Sequence, residues 1–146
     1  EPFAVLTNLI PGMPLIYNGQ EAGLNKRLEF FEKDPIEWKE HKFTDLYKKL
    51  FHWKMNSTLL QNGERGAEMK RVNSSDDRSI FAFTRSNDNE TIFAIFNLSD
   101  ETKTFTLHCE NLIGEYKDFF SGENEVLTQN PEFSLKPWYY KIFVKD

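Results

Sequence analysis

The stretch from Arg78 to Leu98, RSIFAFTRSNDNETIFAIFNL, decides the fold of this chain. It holds two runs of apolar and β-branched residues, RSIFAFT and TIFAIFNL, and each run is strand-like on both faces. Between them lie Ser86-Asn87-Asp88-Asn89, residue types that favour turns. The pattern therefore predicts a hairpin at the centre of a sheet.

Further strands are predicted on both sides of this hairpin. Between Thr102 and His108, Phe105 and Leu107 alternate with threonines, which indicates a strand with one solvent-exposed face. The other predicted strands are Ala67–Val72, Glu115–Phe120, short pieces near Val126 and Phe133, and Trp138–Val144. About seven or eight strands at this spacing predict an antiparallel β-sandwich.

The chain before Gly63 has a helical rather than an alternating period. Residues 3–10 suit the end of a helix because Pro11 disfavours helical geometry before it. Pro14–Tyr17 is a short apolar run of the kind found in strands covered on both faces. Residues 25–43 show no sustained period and predict a long loop. A second helix is expected to begin with Thr44 as its cap and to end near Gln61.

This second helix carries one wide apolar arc. One row is Leu46, Leu50 and Trp53, and the adjacent row is Tyr47, Phe51, Met55 and Leu59. The arc predicts packing against a sheet or another helix. Trp53 and Trp138 are accordingly predicted to be core residues, and Trp38, on the long loop, is the tryptophan free to meet a ligand.

Composition limits the classes of partner. The net charge of −5 without a basic block argues against a nucleic-acid partner, and no run approaches the roughly 18 apolar residues of a membrane span. The single cysteine, Cys109, excludes an internal disulfide framework and is expected to be buried. No motif indicates a cofactor, and the sequence does not determine the cellular compartment. Because the chain opens at Glu1 on a helical pattern, it is expected to be cut from something longer.

The segment PGMPLIYNGQEAGL, residues 11–24, resembles the eighth strand and following loop of the α-amylase family, glycoside hydrolase family thirteen. The recurring positions of that family pattern are Gly12, Pro14, Tyr17, Gly19 and Glu21. Residues 46–63 are similar to the last barrel helix, and the β-rich remainder is similar to the C-terminal sandwich. The resemblance implies an α+β fragment: the last strand and helix of a (β/α)8 barrel in residues 1–62, then a β-sandwich in residues 63–146.

The resemblance also implies a function. The parent protein would act on α-glucosidic bonds of starch or maltooligosaccharides, with the missing N-terminal part of the barrel as the partner of this chain. The catalytic carboxylates of the family follow strands four, five and seven, upstream of Glu1, so the chain alone is expected to contain no catalytic residue. Apolar residues such as Leu15 and Ile16 are then expected to pack on the sandwich or to drive self-association.

Polar residues begin where the active-site face of such a barrel would begin. Substrate contact is therefore expected for Tyr17, Asn18, Gln20 and Glu21, with Trp38 on the following loop. The alternative is that these residues only fix the turn and the loop backbone. No metal site is predicted, because the carboxylates between Glu29 and Glu37 lack calcium-loop spacing and are interspersed with basic residues.

Two other functions remain open from the sequence. In the first, the sandwich is an autonomous carbohydrate-binding module, which predicts an exposed aromatic platform. In the second, the parent is an amylase-like protein without catalytic activity that serves as a partner subunit.

Overall fold

A computed structural model describes residues 1–145. Asp146, the last residue of the predicted sandwich region, lies outside the described residues. The α-helices are α1 (Pro2–Leu9) and α2 (Lys42–Asn56), and short 3-10 helices span Gln20–Ala22 and Gly63–Arg65. The strands are β1 (Met69–Ser74), β2 (Ile80–Ser86), β3 (Thr91–Asn97), β4 (Lys103–His108), β5 (Gly114–Asp118), β6 (Asn124–Leu127), β7 (Glu132–Leu135) and β8 (Tyr140–Lys145). Neither α-helix is long and apolar enough to cross a membrane.

The strands form one curled antiparallel sheet in the order β6-β5-β8-β3-β2-β1-β4-β7. Strand β1 makes the bend because its first half, Met69–Val72, pairs with β2 and its end, Asn73–Ser74, pairs with β4. The sheet thereby turns β4 and β7 over the face of the central strands. The eight strands and the sandwich-like arrangement are confirmed.

The inner core lies between the two halves of the curled sheet. Phe133 of β7 packs against Phe143 of β8 and Phe105 of β4, with ring centroids 6.1 and 6.2 Å apart. Phe93 of β3 and Leu107 of β4 are fully buried in the same cluster, whereas Thr104 is exposed. The alternation predicted for β4 is therefore confirmed.

A second core covers the opposite face of the central strands. Phe83 of β2 and Phe96 of β3 stack with centroids 6.3 Å apart and are packed against Val5 and Leu9 of α1 and Leu50 of α2. Strand β3 is buried on both faces from Ile92 to Asn97. The hairpin predicted from RSIFAFT and TIFAIFNL is thus confirmed as the centre of the fold.

Two cations, the buried Arg85 and the half-buried Lys54, tie α1 to the sheet and to α2. Arg85 of β2 is 1% exposed and donates hydrogen bonds to the carbonyls of Leu9 (2.8 Å) and Ala67 (2.9 Å). Lys54 of α2 donates to the carbonyl of Leu60 at 3.0 Å and lies close to the end of α1. Burial lowers the pKa of both side chains. Positive charge at the carboxyl end of a helix is favourable, which offsets part of this burial.

Helix α2 differs from its predicted bounds at both ends. It begins after His41, whose Nδ1 accepts from the Phe43 amide, and it ends at Asn56 rather than near Gln61. The reason for the early end is Glu90, whose carboxylate accepts hydrogen bonds from the hydroxyl of Thr58 and the amide of Leu59. These bonds stabilise a turn that directs Leu59 into the second core.

Three predictions about apolar residues are wrong in this structure. Pro14–Tyr17 forms no strand and pairs with none of β1 to β8 within residues 1–145, and Leu15 is 86% exposed. Met55 is exposed because the helix-facing core is filled by Leu50 and Leu59. Trp138 is 47% exposed and lies in a turn after Pro137, before β8 begins. Trp53, by contrast, stacks on Phe119 at 3.8 Å, so its predicted packing is confirmed.

Candidate functional site

Two glycines shape the loop that follows the apolar run. Gly19 and Gly23 have φ values of 85° and 75° and flank the 3-10 helix Gln20–Ala22. Positive φ is costly for residues with a Cβ atom. A Cβ atom on Gly23 would also lie 2.5 Å from the ring of His41. The loop therefore requires glycine at this position, and the close approach fixes His41 beneath it.

Glu21 lies in this loop with an unusual carboxylate. Its backbone carbonyl accepts a hydrogen bond from the Thr44 hydroxyl at 2.9 Å, which joins the loop to the first turn of α2. Its Oε2 atom is buried and has no hydrogen-bond partner among residues 1–145. A buried oxygen without a donor is unfavourable. The folded chain thus leaves one carboxylate oxygen of Glu21 buried without a donor among residues 1–145.

Glu21 and Trp38 line the same surface groove of about 800 Å³. Trp38 is 64% exposed, so its indole is available to a ligand. The remaining lining comes mainly from the start of α2, where Lys42, Asp45 and Lys48 recur every third residue and share one face. An exposed aromatic ring beside hydrogen-bonding groups of both charges suits a neutral ligand rich in hydroxyl groups.

The other three predicted contact residues lie outside the lining of this groove. Gln20 is turned back onto its own loop, where its side-chain oxygen accepts from the Tyr17 amide at 3.1 Å. Tyr17 and Asn18 are exposed beside it. Gln20 therefore supports the loop backbone, while Glu21 and Trp38 are brought together.

One group in the groove and one behind it were not predicted as site residues from the sequence. His41 lines the groove and caps α2, yet no motif around it indicates either role. Tyr47 is buried behind the loop, and burial, with the Glu21 carboxylate nearby, raises the pKa of its phenol. The three-residue spacing of Lys42, Asp45 and Lys48 does predict that these charged side chains share one face of α2, which is the face that lines the groove.

The carboxylate-rich part of the long loop is organised by an ion pair. Asp34 is bonded to Lys26 and accepts from the Glu29 amide at 3.1 Å, and the Lys26 bond is the main reason that the pKa of Asp34 is lowered. Over residues 1–145, no three His, Cys, Asp or Glu side chains converge in a way that would hold a metal ion. The exposed Phe30 and Phe31 lie within the same segment.

Sequence relatives share parts of this chain. Residues 69–142 match the family model described as Maltogenic Amylase, C-terminal domain. Alpha-amylase 2 of Dictyoglomus thermophilum is 27% identical over 126 residues, which cover 77% of this chain and 20% of that protein. An oligo-1,6-glucosidase of Saccharomyces cerevisiae is 30% identical over 71 residues, which cover 49% of this chain and 12% of that protein. The matched region is thus a fifth or less of these curated relatives.

Solved structures share the whole fold. The noncanonic maltogenic α-amylase AmyB of Thermotoga neapolitana has a TM-score of 0.81 at 21% identity, covering 99% of this chain and 35% of that chain. The α-amylase of Geobacillus thermoleovorans, complexed with acarbose, has a TM-score of 0.69 at 18% identity, covering 100% of this chain and 34% of that chain. AmyP in complex with maltose has a TM-score of 0.69 at 12% identity, covering 98% and 33%. These likenesses extend over the helices as well as the sandwich.

Proposed function

This chain belongs to the α-amylase family of glycoside hydrolases and carries the maltogenic amylase C-terminal domain at residues 69–142, and from this we propose a role for each of its parts. Residues 1–62 supply the last strand, the following loop and the last helix of a (β/α)8 barrel. Residues 63–146 form the sandwich that covers the outside of that barrel. The complete enzyme acts on α-glucosidic bonds of starch or maltooligosaccharides.

An uncovered apolar surface supports the barrel assignment. Met13, Pro14, Phe51 and Met55 line a groove of about 630 Å³, which we call the apolar groove. Helix α2 faces the sandwich with Leu50, while Met55 on another side of the helix is exposed. In a barrel of this type, strands and helices are covered by neighbouring strands and helices. The missing neighbours are the natural cover for this surface.

The apolar groove gives a test on the chain alone. Exposed apolar patches of this kind drive association. The isolated chain is expected to associate in solution, and Met55→Lys, which adds a charge at an exposed position, is expected to shift it toward the monomer. Light scattering at increasing protein concentration measures both. A monomeric wild-type chain at all concentrations would argue against the missing cover.

The observation that carries the substrate assignment is the meeting of Glu21 and Trp38 in one groove. The Trp38 ring offers a flat surface for the apolar face of a glucose unit, and the buried Glu21 oxygen, which has no donor among residues 1–145, would accept a hydrogen bond from a donor of the barrel. Both are binding or positioning groups. A retaining mechanism requires a nucleophile and an acid/base carboxyl about 5 to 5.5 Å apart, and we assign neither to this chain.

The first experiment is an assay of this chain with a chromogenic maltooligosaccharide. No turnover is expected, and measurable turnover would show that a catalytic pair lies within residues 1–146. The second experiment uses the polypeptide of the complete reading frame. There, Trp38→Ala is expected to raise KM about fivefold with kcat nearly unchanged, because ~1 kcal/mol of uniform binding is lost.

A matched control for that variant is Phe30→Ala, which removes another exposed aromatic ring outside the groove and is expected to leave KM unchanged. An unchanged KM for Trp38→Ala would contradict the substrate role of the groove.

A further inference from the structure

A second groove, of about 390 Å³, lies on the sandwich between the β5–β6 turn and the start of β8. Its aromatic lining consists of Phe120, Tyr139 and Tyr140. Its polar lining includes Asp118, Glu123, Asn124 and Glu125, together with Lys141. None of its lining residues is shared with the groove of Glu21 and Trp38. We call it the sandwich groove.

The aromatic residues form a supported platform. Tyr139 stacks on Tyr140 with centroids 5.9 Å apart and an interplanar angle of 18°, yet 51% of Tyr139 remains exposed. Tyr140 meets the ring of Phe120 nearly edge-on at 5.4 Å, and its hydroxyl donates to Glu1 at 2.9 Å. Tyr139 is therefore held against the Tyr140 ring, which itself contacts Phe120, while much of the surface of Tyr139 stays open.

Helix α2 holds the β5–β6 turn in place through Phe119, the neighbour of the lining residue Phe120. Lys49 donates to the carbonyl of Phe119 at 2.9 Å, and Trp53 stacks on the Phe119 ring. Within the turn, Asp118 accepts from the amides of Phe120 and Ser121 at 2.9 and 2.8 Å. A wall held by this many contacts loses little conformational freedom when a ligand binds.

The charge of the sandwich groove limits the class of ligand. Its four carboxylates, on Asp118, Glu123, Glu125 and Glu1, outnumber its two cations, which are the Glu1 amino group and the Lys141 side chain that is already paired with Glu125. An anionic ligand such as a phosphate ester would be repelled. A pyranose, in contrast, offers an apolar face for the tyrosine ring and hydroxyl groups for the carboxylate and amide oxygens.

We propose that the sandwich groove is an auxiliary binding site for a neutral oligosaccharide, with Tyr139 as its stacking platform. The site lies on the sandwich and is separate from the groove assigned to the substrate cleft. The choice of an α-glucan as its ligand rests on the proposed function. Binding here would hold the enzyme on a long polysaccharide without contributing to bond cleavage.

The test is affinity electrophoresis of the 146-residue chain in gels containing soluble starch. The wild-type chain is expected to be retarded, and Tyr139→Ala is expected to weaken the retardation about fivefold, because the stacking surface is lost. Tyr139→Phe keeps the ring and is expected to bind like the wild type. A circular dichroism melt checks that each variant is folded.

Phe31→Ala is the matched control, because Phe31 is 90% exposed and lies outside the sandwich groove. It is expected to bind like the wild type. Absence of retardation of the wild-type chain, or equal retardation of Tyr139→Ala, would overturn the proposal. Loss of binding in Phe31→Ala alone would overturn it too, because the sugar would then bind outside the sandwich groove. The KM experiment on Trp38 is independent of all these outcomes.

Discussion

The sandwich and the segment from Pro11 to His41 differ in the burial of their apolar residues. In the sandwich, Phe93 and Phe96 point to opposite faces of one strand and both are fully buried. In the N-terminal segment, Met13, Leu15 and Phe31 are all exposed. The segment nevertheless carries the residues on which the proposed barrel assignment rests. Packing identifies the part that holds the fold together, and the uncovered apolar residues mark the part that we propose is covered in a complete barrel.

The largest effect on the free energy of unfolding is expected from removing an aromatic ring in the sandwich, compared with removing one in the N-terminal segment. Phe93→Ala is expected to lower the free energy of unfolding by about 3 to 5 kcal/mol, because it empties the inner core. Phe31→Ala, at an exposed position, is expected to change it by less than about 0.5 kcal/mol. Urea unfolding followed by circular dichroism measures both. Equal effects of the two changes would contradict the division between the regions.

The next effect concerns the contact between α1 and the sheet. Arg85→Ala is expected to cost about 2 to 3 kcal/mol, since it removes two charged hydrogen bonds from the carbonyls of Leu9 and Ala67. Hydrogen exchange of the α1 amides should also become faster. Arg78→Ala, at an exposed arginine of the same chain segment, is the control and is expected to be nearly neutral. An Arg85→Ala variant as stable as the control would show that the buried cation is dispensable.

A smaller effect is expected at the turn after α2. Glu90→Ala removes the acceptor of the Thr58 hydroxyl and the Leu59 amide, and we expect a loss of about 1 kcal/mol. Asp88→Ala changes an exposed carboxylate in the same β2–β3 turn and serves as the matched control. Thermal melts of the two variants give the comparison. If both variants melt together, Glu90 does not explain why α2 ends at Asn56.

The smallest effect is a difference in acid sensitivity between the two regions. Asp77 accepts from the Ser74 amide at 2.8 Å, and this bond is the main reason that its pKa is lowered; Lys26 similarly lowers the pKa of Asp34. A lowered folded-state pKa gives stability that is present above the unfolded value of about 3.9 and lost as the pH falls through the folded value.

Asp77→Asn should therefore reduce the acid dependence of global unfolding, measured as the urea midpoint between about pH 5 and pH 2.5. Asp34→Asn should leave that midpoint unchanged and should only speed proteolysis of the loop around Lys26. A shift of the global midpoint by Asp34→Asn would show that the loop contributes to the cooperative unit.

The sequence predicted those features that depend on local pattern. The β2–β3 hairpin follows from two runs that are apolar on both faces, and α1 follows from its spacing before Pro11. The end of α2 was missed because the acceptor that stops it, Glu90, lies about 30 residues away in the chain. The exposure of Trp138 was not predicted, because its positive φ of 54° places it in a turn, outside the inward and outward alternation of β8.

The candidate site was predictable only in its parts. The family pattern singled out Glu21, and exposure on a long loop singled out Trp38, but no local rule predicts that they share a groove. Their meeting depends on how the loop returns to α2 through the Thr44 contact with Glu21. The buried, unpartnered oxygen of Glu21 is likewise a property of the folded chain, since a glutamate is ordinarily solvated.

The barrel assignment requires that the peptide around Leu15 becomes a strand only within a complete barrel. Hydrogen–deuterium exchange of the Leu15 and Ile16 amides tests this directly, in this chain and in the polypeptide of the complete reading frame. We expect almost no protection in this chain, where neither amide donates a backbone hydrogen bond within residues 1–145, and protection comparable to that of β3 in the complete polypeptide. Protection in this chain, or its absence in the complete polypeptide, would contradict the account.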